Sequence, residues 1–352
     1  MSVPDLLHRL LTAAGPPGLE EAPVGVWREA AGEFAEVVVD KMGSPSASVA
    51  GRADGPTVAI VGHVDEIALL VSHISDDGFL RVVSSGGWDA QVLVGQRVHV
   101  LAGNGPVPGV VGRKPPHLTE ADERKKAAEL KGLHVDVGAR DGDQAREMVK
   151  LGDAVVIAAD PVELPNGRLT SRALDNRLGA YIALESARRV AEGGGTAGPV
   201  VAVAPVQEEI GLHGAKVAAY GLEPDVAIVI DVTHATDAPG IEPNEIGKHE
   251  LGSGPVISRG PVLNPRVADL LIETAEAEGI EYTVEVSGSS TRSDADAMHL
   301  SRNGIPTGAV SIPLRYMHSP VELVELEDVE QVVRLVVAFA MRVDAETDFT
   351  RW

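Results

Sequence analysis

Seven residues of the chain have types and spacings suited to metal-assisted acid–base chemistry. His63 and Asp65 follow the apolar run 57–62, Glu208 and Glu209 follow 200–206, Asp231 directly extends 226–230, and His318 follows 309–317. Asp175 stands just before a helical pattern whose apolar residues include Leu178, Tyr181 and Ile182. In an open α/β sheet, ligands bind outside the carboxyl ends of the strands, so residues delivered there are the first candidates. Each has a plain structural alternative. Asp175 could be a helix N-cap, Glu208 and Glu209 the solvated first turn of a helix, and either histidine a satisfied loop or core residue. Asp231 has the least comfortable alternative, because an acid that prolongs an apolar strand is desolvated unless something pairs with it.

The set closes electrostatically. Two divalent cations bring +4, Asp175, Glu209 and Asp231 bring −3, and a bridging hydroxide brings the last −1, with His63 and His318 as neutral ligands. Glu208 is left over. A carboxylate beside such a cluster that is not a ligand is suited to be the general base. Composition points the same way. With no cysteine among 352 residues, a cysteine nucleophile, an iron–sulfur cluster, a cysteine zinc finger and any disulfide framework are excluded, so a metal must be held by His, Asp and Glu. The net charge of −22, with no basic run, argues against nucleic acid as a partner. No stretch is long and apolar enough to predict a membrane span. The first eleven residues lack a basic segment followed by an apolar core and a cleavage site, so a cytoplasmic setting is expected.

The elements that must position these residues alternate. Helices are predicted over 5–14 and 24–35, then strands over 36–40 and 57–62. From about 70 to 165 the character changes to short β-like runs (79–83, 91–101, 107–112, 133–137, 154–158), with turn chemistry at Asp76-Asp77-Gly78 and Gly103-Asn104-Gly105-Pro106. Helix–strand alternation then returns: helices over 176–192, 213–220, 266–278 and 294–303, strands over 200–205, 226–230, 282–286 and 307–312. A last helix follows, with Val329, Val332, Val333, Val336, Val337, Ala340 and Met341 on one face. The organisation expected is an α/β catalytic domain built from 1–69 and 166–352, interrupted by an inserted β-rich domain over 70–165.

Five segments then resemble, in order, the signature blocks of the TET aminopeptidase (glutamyl or deblocking aminopeptidase-like) family of clan MH metallopeptidases. They are Gly62-His63-Val64-Asp65-Glu66-Ile67, Ala173-Leu174-Asp175-Asn176-Arg177, Gln207-Glu208-Glu209-Ile210-Gly211, Ile230-Asp231-Val232-Thr233, and the stretch from Arg315 through His318 to Glu322. Gly86-Gly87-Trp88-Asp89, Gly112-Arg113-Lys114-Pro115 and the segment from His134 to Gly138 are also similar to family segments, so the resemblance covers nearly the whole chain. It implies a three-layer phosphorylase/hydrolase-like catalytic domain with an inserted β-barrel-like dimerisation domain, assembled as a homo-oligomeric tetrahedral dodecamer. It implies two divalent ions, zinc first with cobalt or manganese as alternatives: His63 and Asp231 on one, Glu209 and His318 on the other, Asp175 bridging. Glu208 would be the general base and Asp65 would orient the ligating histidine. The activity implied is removal of N-terminal residues from short peptides. A related metal-dependent N-deacylase or amidohydrolase, or a catalytically silent assembly protein, could use the same scaffold. One departure is His213, where relatives commonly carry arginine; it lies four residues after Glu209, and a non-ligand role is expected because His63 and His318 complete the count.

Overall fold

Runs such as Val58–Val61 and Val200–Val203 are apolar at every position, and strands of that kind must be covered on both faces. In the computed structural model, which describes residues 2–118, 120 and 126–351, both are central strands of one eight-stranded sheet. The chain divides into two units, the first formed by Met1–Asp65, Pro161–Met317 and Val321–Trp352, the second by Glu66–Asp160 with His318–Pro320.

In the first unit the strand order is Glu36–Val39, Pro45–Val49, Val200–Val203, Val58–Val61, Val226–His234, Thr307–Leu314, Val256–Arg259, Thr283–Val286. The middle four are parallel. Side chains alternate between two cores. Val58, Ile60, Val200, Ala202, Ile228 and Ile230 pack with residues of the helices Asp5–Thr12, Glu21–Ala31, Leu174–Glu192, Pro265–Glu278 and Leu326–Arg342. Their neighbours Ala59, Val61, Val201, Val203, Ala227 and Val229 pack with the helices His213–Leu222 and Ala295–Met298. The result is a three-layer α/β/α fold. Leu174–Glu192 is buried over most of its length, against the sheet on one side and the first and last helices on the other.

The second unit is a closed, six-stranded antiparallel barrel in the order Ala68–Ile74, Leu80–Ser85, Leu133–Asp136, Gly105–Arg113, Arg97–Ala102, Ala154–Ile157. Closure removes the exposed edges that short strands otherwise present. Its interior is a separate apolar cluster that includes Leu69, Leu80, Leu93, Val100 and Val135.

Two expected elements are corrected. The predicted β run 91–101 is a short helix, Ala90–Leu93, followed by the strand Arg97–Ala102. Asp89 caps the helix by accepting the Gln91 N–H at 2.8 Å, and Gly95, at φ 82°, turns the chain out of it. The helix predicted over 294–303 is only Ala295–Met298. Apolar patterning also gave no warning of the strands Pro45–Val49 and Val256–Arg259, whose Pro, Ser and Arg residues break the usual strand signature.

Candidate active site

Sheet register sets the site. Val61 pairs with Val203 on one side and Val229 on the other, so His63 and Asp231 each lie two residues beyond a paired position, at one level of the carboxyl edge. Gly62 permits the next step. A Cβ there would meet the backbone of Gly179, and a Cβ on Gly179 would meet Asn176 and the Ile230 carbonyl. Two glycines thus let the start of the Leu174–Glu192 helix descend onto the strand ends. Asn176 completes the seam: its Nδ2 donates to the Ile230 carbonyl at 2.9 Å and its Oδ1 accepts the Gly179 N–H at 2.8 Å. Asp175, alongside, has its backbone N–H on Glu322 Oε2 at 3.0 Å. It faces His63, with Asp175 Oδ1 3.3 Å from His63 Nε2.

The paired glutamates come from a loop held by Asp65, whose Oδ1 accepts the Glu208 N–H at 3.0 Å and whose Oδ2 accepts the Glu209 N–H at 3.1 Å. Asp65 is fully buried, and its Oδ1 also lies 3.4 Å from His63 Nδ1. Glu208 Oε2 lies 3.7 Å from His63 Nε2. The backbone here is unusual. Ala173, Gln207 and Leu212, none of them glycine, sit at φ 57–59°, a left-handed region that persists at functional sites because surrounding structure enforces it.

Burial drives the electrostatics. Desolvation pushes the Glu208 carboxyl up to about 9, His63 opposing and Asp231, Asp294 and Asp175 adding to the rise. Desolvation likewise pushes Asp231 up to about 8, and raises Glu209 well above its usual range with Asp175 as the next cause. For His63, desolvation works against the charged form, but Glu208, Asp175 and Asp65 together hold its pKa well above the ordinary value. Such a cluster of carboxylates and imidazole is short of positive charge. Ligand atoms of His63, Asp175 and Glu209 all fall within 4.8 Å of one another, as do those of His63, Glu208 and Asp231. Oxygen and imidazole donors so placed fit a divalent metal.

Six of the seven candidates therefore converge in the first unit. His318 belongs to the second, where its Nδ1 donates to the Gly87 carbonyl at 2.8 Å, a bond that leaves the lone pair on Nε2. His213 is in neither ligand cluster; its Nδ1 contacts Gln207 Oε1 at 3.2 Å.

The model of the M42 glutamyl aminopeptidase family matches residues 43–335. The chain is a member of that family. A lysyl aminopeptidase of Pyrococcus furiosus is 37% identical to this M42 protein over 343 residues, 95% of each chain. The crystal structure of a TET aminopeptidase from a marine sediment thaumarchaeote superposes on it with a TM-score of 0.92 at 37% identity, covering 97% of this chain and 96% of that one. The TET1 peptidase of Pyrococcus horikoshii, which can assemble into a tetrahedron or a large octahedral shell, gives 0.85 at 31% identity over 96% and 99%. No helix among the described residues of the M42 chain is long and apolar enough to cross a membrane.

Among the buried acids of this M42 chain that sequence reasoning passed over are Asp294 and Glu20. Asp294 begins a helix as an N-cap would, yet caps nothing with its side chain: both carboxylate oxygens are buried without a hydrogen-bond partner among the described residues. Burial pushes it up to about 7, with His63 opposing and Asp65 reinforcing. Glu20, also pushed up to about 7 mainly by burial, sits 187 residues before Gln207, whose N–H it accepts. Neither had a local signal beyond being an acid beside a helix start.

Proposed function

We propose that the protein is a metal-dependent aminopeptidase that removes N-terminal residues from short peptides in the cytoplasm, as a tetrahedral dodecamer. The observation that carries the reading is the convergence of His63, Asp175, Glu208, Glu209 and Asp231 at the carboxyl edge of the parallel strands, with both glutamates fixed through their backbone by Asp65. His63, Asp175, Glu209 and Asp231 would hold the metal, the ligands of the first unit that the resemblance implies. Divalent ions bound there would acidify water and polarise the scissile carbonyl.

The chain's own groups do the rest. Glu208 is the general base: it takes a proton from the attacking water and hands it to the departing amine nitrogen, a transfer worth roughly 10²- to 10⁴-fold. Asp65 keeps the Glu208 and Glu209 amides in register and draws the His63 ring proton to Nδ1, leaving Nε2 to ligate. The surplus of carboxylates favours the free ammonium of a peptide N-terminus over an internal peptide bond.

Glu208→Gln is the decisive variant. It should retain its metal, measured by elemental analysis, and lose turnover on aminoacyl-p-nitroanilides by at least about 10²-fold. Turnover at the parent rate would remove Glu208 from the reaction. The assembly is tested separately by native mass, where a monomer or dimer at working concentration would refute the dodecamer.

A further inference from the structure

Glu20 lies far from the catalytic segments in sequence and is 6% exposed. Its Oε1 accepts two backbone N–H groups, from Gly18 at 2.8 Å and from Gln207 at 3.1 Å. The Gln207 bond joins the two that Asp65 receives from Glu208 and Glu209, so three successive amides of the loop are held by buried carboxylates. The donor at 207 belongs to a non-glycine residue at φ 57°, which external contacts must hold in place.

The segment that carries Glu20 is itself braced at the other side of the site. The Arg177 guanidinium, two residues beyond Asp175, donates to the carbonyls of Leu10 and Ala13, the latter at 2.9 Å. A Cβ on Gly15 would collide with Pro23 and with that guanidinium, and a Cβ on Gly18 would touch Gln207 Nε2. Residues 10–20 thus reach both the Asp175 segment and the glutamate loop, through fixed contacts at each end.

We propose that Glu20 is a positioning residue for the reaction: its carboxylate, acting as a hydrogen-bond acceptor, fixes the Gln207 peptide and with it the aim of the Glu208 side chain. The role rests on Glu208 being the base, but the clamp itself does not. A buried amide deprived of its acceptor turns to find another, and a base displaced by about 1 Å loses about 10²-fold in rate.

The test uses the full-length, metal-loaded protein with Glu20→Ala, Glu20→Gln and Glu208→Gln in parallel, each read by kcat, KM, metal content and hydrogen exchange of peptides covering 204–212 and 226–234. Glu20→Ala should lower kcat by about 10- to 100-fold with KM and metal content little changed. Exchange should rise in 204–212 and stay at the parent level in 226–234. Glu20→Gln, which keeps an oxygen acceptor without the charge, should restore kcat to within about two- to three-fold and restore protection. If Glu20→Ala does not fold, Glu20→Asp, whose acceptor is withdrawn by one methylene, takes its place with the same expectation. Unchanged exchange in 204–212 overturns the clamp, as does a rise spread over both peptides. A Gln variant as slow as Ala also overturns it, since charge rather than hydrogen bonding would then be the cause. Parent-like turnover by Glu208→Gln, alongside local loosening in Glu20→Ala, would sink the base assignment and leave the clamp standing.

Discussion

Replacing Asp65 by Asn tests how the site is wired, because the change removes one acceptor and adds one donor with almost no change in volume. The carboxylate accepts two hydrogen bonds, from the Glu208 N–H at 3.0 Å and the Glu209 N–H at 3.1 Å, and its Oδ1 lies 3.4 Å from His63 Nδ1. If the amide oxygen stays on Glu209, the new NH₂ faces both the Glu208 N–H and His63 Nδ1. The imidazole must then accept at Nδ1 and carry its proton on Nε2, the nitrogen that points at Asp175. If the amide is flipped, Glu209 loses its acceptor instead. In either orientation one buried N–H is orphaned, at a cost of about 1–3 kcal/mol in stability. In the first orientation metal affinity also falls by about 10- to 100-fold, the range found when the partner of a ligating histidine is lost. Competition against a chelator measures the affinity, and chemical denaturation of the metal-free protein measures the stability. Affinity and stability both equal to the parent would show that Asp65 neither sets the His63 tautomer nor secures the glutamate loop.

The metal-free protein should lose thermal stability as pH rises from about 5 to 8. Burial lifts Glu208 to about 9, Asp231 to about 8 and Asp294 to about 7 from ordinary values near 4, so in that window the folded chain binds more protons than the unfolded one. Their contribution is fully present below about pH 4 and is lost as pH climbs through the folded values; His63, also raised, acts with the same sign. Scanning calorimetry with chelator present reads this directly, added divalent metal should reverse the loss at pH 8, and a melting temperature that is flat or rising over the window would contradict it. Gly62→Ala should destabilise by about 1–3 kcal/mol, because its methyl meets the backbone of Gly179 rather than a side chain that can turn away. Metal content should fall with it as the Asp175 segment is lifted, and a variant within about 0.5 kcal/mol of the parent would mean that the helix approach is looser than the geometry shows.

What was legible in the sequence was whatever a local run could carry. The central strands announced themselves because burial on both faces demands continuous valine, isoleucine and alanine, and the residue each run delivers at its end can be read off by counting. That is why His63, Glu208, Glu209 and Asp231 could be nominated from position alone. Asp175 needed more, since its placement depends on Gly62 and Gly179 meeting across 117 positions of chain, and glycine spacing on separate elements has no local signature. Glu20 and Asp294 are the limiting cases. Each sits at a helix start, where an acid is ordinary, and each matters only through a partner brought up by tertiary folding. Strands Pro45–Val49 and Val256–Arg259 stayed hidden for a related reason: their pairing partners, rather than their own side chains, make them strands. A hydrolytic site assembled on this plan therefore has two tiers. On the proposed reading, His63, Glu208, Glu209 and Asp231 lie at strand ends and can be counted, while Asp175 comes from a helix start. The groups that aim them, Asp65 with its two amides and Glu20 with its third, are distinguished by what they accept rather than by where they stand.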